Sequence, residues 1–167
     1  MAPAAPADRA GVLLRPYAAA DRDFVLGLVP RFVAFPLPAW REAAACEAGI
    51  RADIAAHLDQ RTPGSHAWVA EAAGLGRCGF LLLLEQQDFF TGVRSCHVSD
   101  LVVSAGAEGR GVAAALLAHA ERWAVDAGCA FLTLAVFEGN ARARRLYERA
   151  GFGTELLRMT KPLPPPA

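Results

Sequence analysis

Gly106, Gly109 and Gly111 crowd a short stretch just upstream of Val112, where a run of apolar residues at helical spacing begins. Without side chains in the way, backbone N–H groups can approach a ligand closely, and at a helix start those groups are unpaired and lie at the positive end of the dipole. Such a place suits an anion, and a pyrophosphate fits the span. Glycines that only shape a tight turn would leave the same trace. Upstream, Asp100 stands on the segment Cys96 to Val103, where its carboxylate could take a proton or hold a cation. Glu85, at the end of the preceding apolar run, competes for that role. A solvated carboxylate on the polar face of an alternating strand is the bland alternative. Metal chemistry finds no ligand set: His97 and His119 lack companions at suitable spacing, and Cys46, Cys78, Cys96 and Cys129 form no Cys-x-x-Cys pair. The four cysteines are expected to be reduced packing residues.

These residues must be held by elements that the spacing outlines. Val12 to Pro16 reads as a first strand, and Asp21 as the cap of a helix carrying Phe24, Val25, Leu28 and Val29 that stops at Pro30. Trp40 to Leu58 shows helical spacing through Ala44, Ala48, Ile54 and Leu58. Ala67 to Glu71 and Cys78 to Leu84 flank the turn Gly74-Leu75-Gly76-Arg77 as a β-hairpin, and the second arm, apolar on both faces, is expected to be central. Cys96 to Val103 is the next strand. After the glycine loop, Leu116, Leu117, Ala120, Trp123, Ala124 and Ala127 share one helix face, which Gly128 closes. Phe131 to Phe137 reads as a strand, Ala141 to Ala150 as a short arginine-rich helix, and Thr154 to Lys161 as a final strand. The unit Cys96 to Phe137 is strand, helix, strand, and its right-handed crossover makes the two strands parallel. The fold class is therefore mixed α/β (α+β).

With 167 residues, more than half of them apolar, the chain can bury a core without disulfides or metal, and one domain over residues 11–161 is expected between Ala/Pro-rich tails at 1–10 and 162–167. Basic and acidic residues balance at 17 each, which removes the positive field that nucleic acid or an anionic membrane would require. The first residues lack the cationic start and apolar stretch of a signal peptide, so a cytoplasmic location is expected.

Gly109-x-Gly111-x-x-Ala114 also satisfies a dinucleotide-binding fingerprint, with Glu138 ending the following strand. Such folds place the fingerprint after their first strand and need further strand-helix units beyond it, whereas here only a short helix and a strand remain. Later residues point elsewhere. Asn140-Ala141-Arg142-Ala143-Arg144-Arg145-Leu146-Tyr147, continuing to Gly151-Phe152, joins Val102-Val103 and the loop Glu108-Gly109-Arg110-Gly111-Val112-Ala113 at a spacing that resembles the GCN5-related N-acetyltransferase superfamily. The resemblance is close from Ser95 to Phe152 and looser before it.

That resemblance implies a mostly antiparallel central sheet with one parallel strand-helix-strand unit, flanked by about four helices, and an enzyme that moves the acetyl group of acetyl-CoA to an amine, releasing CoA. It implies coenzyme contacts along the strand end Leu101-Val102-Val103, along Gly109-Arg110-Gly111-Val112-Ala113-Ala114, and at Asn140, Ala143 and Tyr147. Tyr147 matches the family tyrosine that can protonate the leaving thiolate; as a phenol with a pKa near ~10 it stays protonated at neutral pH. Packing on a helix face with Ala143 and Leu146 would also account for it, and Asn140 would look the same as a plain helix cap. Asp100 is the acceptor-side candidate. The family loop begins with Arg or Gln where this chain has Glu108, which is expected to turn to solvent while Arg110 neutralises phosphate charge. The acceptor would be a small-molecule or peptide amine, with no nucleic acid, membrane or metal, in a monomer or homodimer. A non-catalytic acyl-CoA-binding module is the alternative.

Overall fold

The computed structural model describes residues 11–60 and 62–163; the expected tails at 1–10 and beyond Leu163 lie outside the described residues. The chain runs β1 (Val12–Pro16), α1 (Arg22–Gly27), α2 (Ala43–Gln60), β2 (Ser65–Ala72), β3 (Gly76–Gln87), β4 (Arg94–Val103), α3 (Val112–Asp126), β5 (Phe131–Leu134) and α4 (Ala141–Arg149). Five strands form one sheet in the order β1-β2-β3-β4-β5. All neighbours are antiparallel except β4 and β5, the ends of the α3 crossover, which are parallel.

Alternation along the strands divides the core in two. Leu81 and Leu83 of β3 join Val12, Leu14, Trp68 and the buried face of α3 on one side of the sheet. Phe80 and Leu82 join Val25, Val29, Ile54 and Leu58 of the α1–α2 region on the other. β3 is thus the central strand, as its two-sided apolar sequence requires. Its Gly79 lets α3 lie close: a β-carbon there would meet Leu116 Cδ1 at 3.0 Å and Val112 Cγ1 at 3.2 Å. The glycine therefore sets how near the N-terminal turn of α3 comes to the sheet.

Several expectations need correction. Asp21 occupies the α1 cap position but its side chain does not cap α1; its buried carboxylate is forked by the Arg15 guanidinium at 2.7 and 2.8 Å and accepts the Ala18 N–H at the start of the preceding 3-10 turn. That pairing holds Asp21 well below the usual carboxylate range. The helix ends at Gly27, before Pro30, and a separate 3-10 turn over Val29–Val33 carries the proline near its start. In α2 only Ile54 and Leu58 are buried; Ala44 and Ala48 are exposed, because only its later half reaches the core. β5 ends at Leu134, three residues short of Phe137. Thr154 to Lys161 forms no strand, and every residue from Gly153 to Leu163 is exposed.

Candidate active site

A bulge in β4 creates the site. Leu82 faces Asp100 and Leu83 faces Val98, so Ser99 is an extra residue that β3 leaves unmatched. Before it Cys96 and Val98 look toward α3; after it Leu101 and Val103 do so, and Val102 looks toward the α1–α2 core. β5 pairs with β4 only from Ser95 to Val98. Beyond the bulge the two parallel strands part, and a gap opens beside Leu101-Val102-Val103.

The backbone in that gap has a definite sense. Ser104 N–H donates to Cys78 C=O, so Ser104 and, by alternation, Val102 turn their main-chain groups toward β3. Val103 and Leu101 turn theirs into the gap, and Arg31 Nε accordingly reaches Val103 C=O at 2.7 Å. At the far end of the gap Gly111 caps α3 in the left-handed region, φ 79°, and Gly109 is also left-handed at 71°. The hydrogen-bond ladder of α3 begins with Ala115 N–H donating to Gly111 C=O, which leaves the N–H groups of Val112, Ala113 and Ala114 without a helical partner.

A cleft of about 660 Å³ joins these parts. It is lined by Leu101, Val102, Val103, Gly109, Gly111, Val112, Ala113 and Ala114 on one wall and Asn140, Ala143, Leu146 and Tyr147 on the other. Arg110 is the exception among the expected contacts. It stands exposed between the two left-handed glycines and does not line the cleft. Asn140 caps α4, its Oδ1 accepting the Ala143 N–H at 3.1 Å, so Nδ2 is the donor it has for a ligand. Tyr147 is half-buried against Phe152, and burial pushes its phenol above the usual value.

Glu108 is an exposed residue, yet its carboxylate is not free. It is ion-paired to Arg31, from the turn after α1, and to Arg142, from the first turn of α4. The pair of arginines neutralises the carboxylate and links the loop to α4. Arg31 carried no motif and was missed. A roof was missed as well: Phe35 lies 5.6 Å from Phe137, and a β-carbon at Gly139 would overlap the Pro36 carbonyl oxygen. The loop after α1 thus touches the β5–α4 turn above the gap.

Asp100 is not a solvated carboxylate. It is 8% exposed, turned toward α2, and accepts the Ser99 hydroxyl at 2.8 Å. Burial raises its pKa from 3.8 to about 6; nearby Asp53 adds to the rise, while the Ser99 bond and His57 oppose it. It lies beside the cleft and not in its lining. Its competitor Glu85 is engaged elsewhere, bonded to Arg94 at 2.6 Å and His66 at 2.7 Å, and these partners hold it below the usual range. His97 Nδ1 bonds Thr133 Oγ1 at 2.8 Å, tying β4 to β5 just before they part. His119 is edge-on to Trp68, and burial lowers its pKa. The four cysteines are free thiols, Cys78 and Cys96 buried. Among the described residues no three His, Cys, Asp or Glu gather as for a metal, and no helix is long and apolar enough to cross a membrane.

The model of the acetyltransferase (GNAT) family matches residues 35–152. No curated protein matches the chain. Solved structures share the fold. A GCN5-related N-acetyltransferase from Ralstonia eutropha JMP134 aligns with a TM-score of 0.68 at 23% identity, covering 92% of this chain and 99% of that one. A Trypanosoma brucei acetyltransferase gives 0.64 at 25% identity, over 91% and 99%. A ribosomal-protein-alanine N-acetyltransferase from Brucella melitensis biovar Abortus gives 0.65 at 19%, again over 91% and 99%.

Proposed function

The chain belongs to the acetyltransferase (GNAT) family, and on that premise we propose that it transfers the acetyl group of acetyl-CoA directly to an amine, without a covalent enzyme intermediate. The co-substrate supplies a thioester carbonyl open to attack and a thiol that can leave. One observation carries the assignment: the parting of β4 from β5 beyond Ser99 opens onto unpaired N–H groups at the start of α3 and faces Tyr147 on α4.

Each wall of the cleft has a task. Val112, Ala113 and Ala114 offer backbone N–H groups at the positive end of α3, where a pyrophosphate is favoured. Gly111 keeps that approach clear, since its φ of 79° and missing β-carbon both suit the turn. Arg31 and Arg142 supply cationic charge there, so Glu108 at the usual Arg or Gln position does not leave a net repulsive site. Leu101 and Val103 present main-chain groups to the pantetheine arm as an edge strand would, and the Val103 N–H is the donor aimed at the thioester oxygen. Tyr147 keeps its proton at neutral pH, because burial raises its pKa, and can give it to the leaving thiolate. Asp100, buried near the α2 side, is the carboxylate that can hold or deprotonate a cationic acceptor amine, directly or through water.

The acceptor is a small-molecule or peptide amine entering beneath the Phe35–Phe137 roof. Residues 11–161 act as one domain, and the reduced thiols and balanced charge suit the cytoplasm.

Thermal unfolding with and without ligands tests this. A ligand binding only the native state at ~100 times its Kd adds ~2.7 kcal/mol, or roughly 5–11 °C for a chain of this size. Acetyl-CoA is expected to give such a shift, a nicotinamide dinucleotide none, and Gly111→Val to abolish it. Equal shifts from both ligands would overturn the assignment. Free-thiol release across a panel of amines would then identify the acceptor.

A further inference from the structure

Burial leaves Asp100 dependent on its neighbours, because a carboxylate cut off from water needs another group to hold its charge. Cross-strand neighbours share a sheet face, so Asp100 and Ala67, which stand opposite Leu82 from its two sides, both lie on the α2 face of the sheet. Ser65, two residues before Ala67 on β2, lies on that face as well. Leu82 and Val102, which flank Asp100 across β3 and along β4, pack in one core with Ile54 and Leu58 of α2. Asp53 and His57 immediately precede those two residues and, one helical turn apart, share a flank of the helix.

The two residues of that flank act on Asp100 in opposite senses. A cation at His57 favours its ionised form, and the carboxylate of Asp53 disfavours it. His57 is half-buried, and its Nδ1 lies 3.0 Å from the Ser65 hydroxyl. That hydroxyl can donate to Nδ1 of a neutral ring or accept from the Nδ1–H of a charged one, so it anchors the imidazole in both states. Asp53 is exposed. The other elements around Asp100 bring it no competing charge: Leu82 faces it from β3, and Ser99 gives it a hydroxyl within β4. Arg31, in the turn after α1, is held by Val103 C=O and Glu108, and His97, earlier on β4, is bonded to Thr133.

We propose that His57, anchored by Ser65, is a positioning residue for acetyl transfer: as an imidazolium it holds Asp100 in the charged form that a cationic acceptor amine needs, and Asp53, one turn earlier on α2, opposes it. The inference rests on the reading of Asp100 as the acceptor-side carboxylate. Histidine is the side chain whose charge changes between about pH 5 and 8, and Asp100 ionises at about 6, inside that range. The imidazolium therefore exerts its hold while Asp100 is titrating. As pH rises the hold relaxes, but Asp100 is by then ionised without it. Asp53 keeps its charge throughout, so the balance between the two α2 residues sets the lowest pH at which the acceptor side is ready.

Carbon-13 NMR of the side-chain carboxyls in the full chain, titrated from about pH 4 to 9, tests it; the Asp100 signal is the one that Asp100→Asn removes. His57→Gln should raise the Asp100 midpoint by roughly half a pH unit, a fraction of the ~1–3 pH units that an opposite charge in contact supplies, and Asp53→Asn should lower it by a similar amount. His57→Arg, which keeps a cation there at every pH, should restore the wild-type midpoint or lower it further. A packing role would not give opposite signs at two neighbouring positions of one helix. Acetyl transfer to the amine that thiol release identifies should follow: His57→Gln loses about twofold relative to wild type at pH 6, where half of the wild-type Asp100 is ionised, and nothing at pH 8. Should His57→Gln fail to fold, Asp53→Asn, at an exposed position, carries the same test. Midpoints that stay put, or that move together in both variants, overturn the role of His57 even where Asp100→Asn impairs transfer. Midpoints that move as expected while Asp100→Asn leaves transfer intact overturn the acceptor-side reading of Asp100, and the role of His57 with it.

Discussion

Asp100→Asn is expected to stabilise the protein while impairing acetyl transfer, and the size of the first effect follows from burial. In the native state the carboxyl titrates at about 6 in place of 3.8, chiefly because it is buried at 8% exposure. One pH unit of displacement is worth ~1.4 kcal/mol, so ionising Asp100 in the folded protein costs up to ~3 kcal/mol relative to the unfolded chain. The sign is that of a raised pKa: the folded state binds the extra proton. Native stability is therefore unpenalised below the unfolded value, falls as pH rises from about 4 to 6, and stays lower above that window. Asparagine keeps the shape, can still accept the Ser99 hydroxyl, and never ionises. The variant should match wild type near pH 4 and exceed it at pH 8 by up to ~3 kcal/mol, roughly 6–12 °C in Tm for a chain of this length. Urea unfolding at pH 4, 6 and 8 reads the difference directly from the midpoints at equal m. A variant that is no more stable than wild type at pH 8, or equally altered at pH 4 and 8, would refute the burial argument. Turnover measured alongside decides the second half: a carboxylate kept in place against its own stability cost should be missed by the reaction, with coenzyme Kd nearly unchanged.

Three further outcomes can be checked with the same protein. Glu108→Gln should tighten coenzyme binding several-fold, since it releases Arg31 and Arg142 to meet phosphate; Arg142→Ala should weaken binding and flatten its salt dependence, and titrations at two ionic strengths would expose the opposite sign. Tyr147→Phe should slow single-turnover acetyl transfer by ~10²–10⁴-fold with coenzyme Kd unchanged, the usual worth of a general acid, whereas a loss below about threefold, under ~0.7 kcal/mol of barrier, would leave the residue as a packing partner of Phe152.

Local chemistry made much of this protein legible without coordinates. A glycine-rich turn between two apolar runs marked the β2–β3 hairpin, two-sided apolarity put β3 in the middle, and the order of strand, glycine turn and amphipathic helix identified the β4-α3-β5 unit and its parallel pairing. Gly109 and Gly111 announced themselves because only glycine takes their left-handed φ without strain. Asn140, Ala143 and Tyr147 share the cleft with the loop because spacing on one short helix fixes which side chains face together. What the sequence could not show depended on groups far apart in the chain or on a break in local register. The unmatched Ser99 reverses the alternation of β4, and so Asp100, polar by pattern, is carried into the α2-side core. Arg31 meets Glu108 across 77 positions, and no periodicity encodes such an ion pair. The fate of Thr154 to Lys161 is of the same kind. Its composition suits a strand, but a strand is defined by its partner, and only the tertiary structure shows that no described strand of the sheet pairs with it.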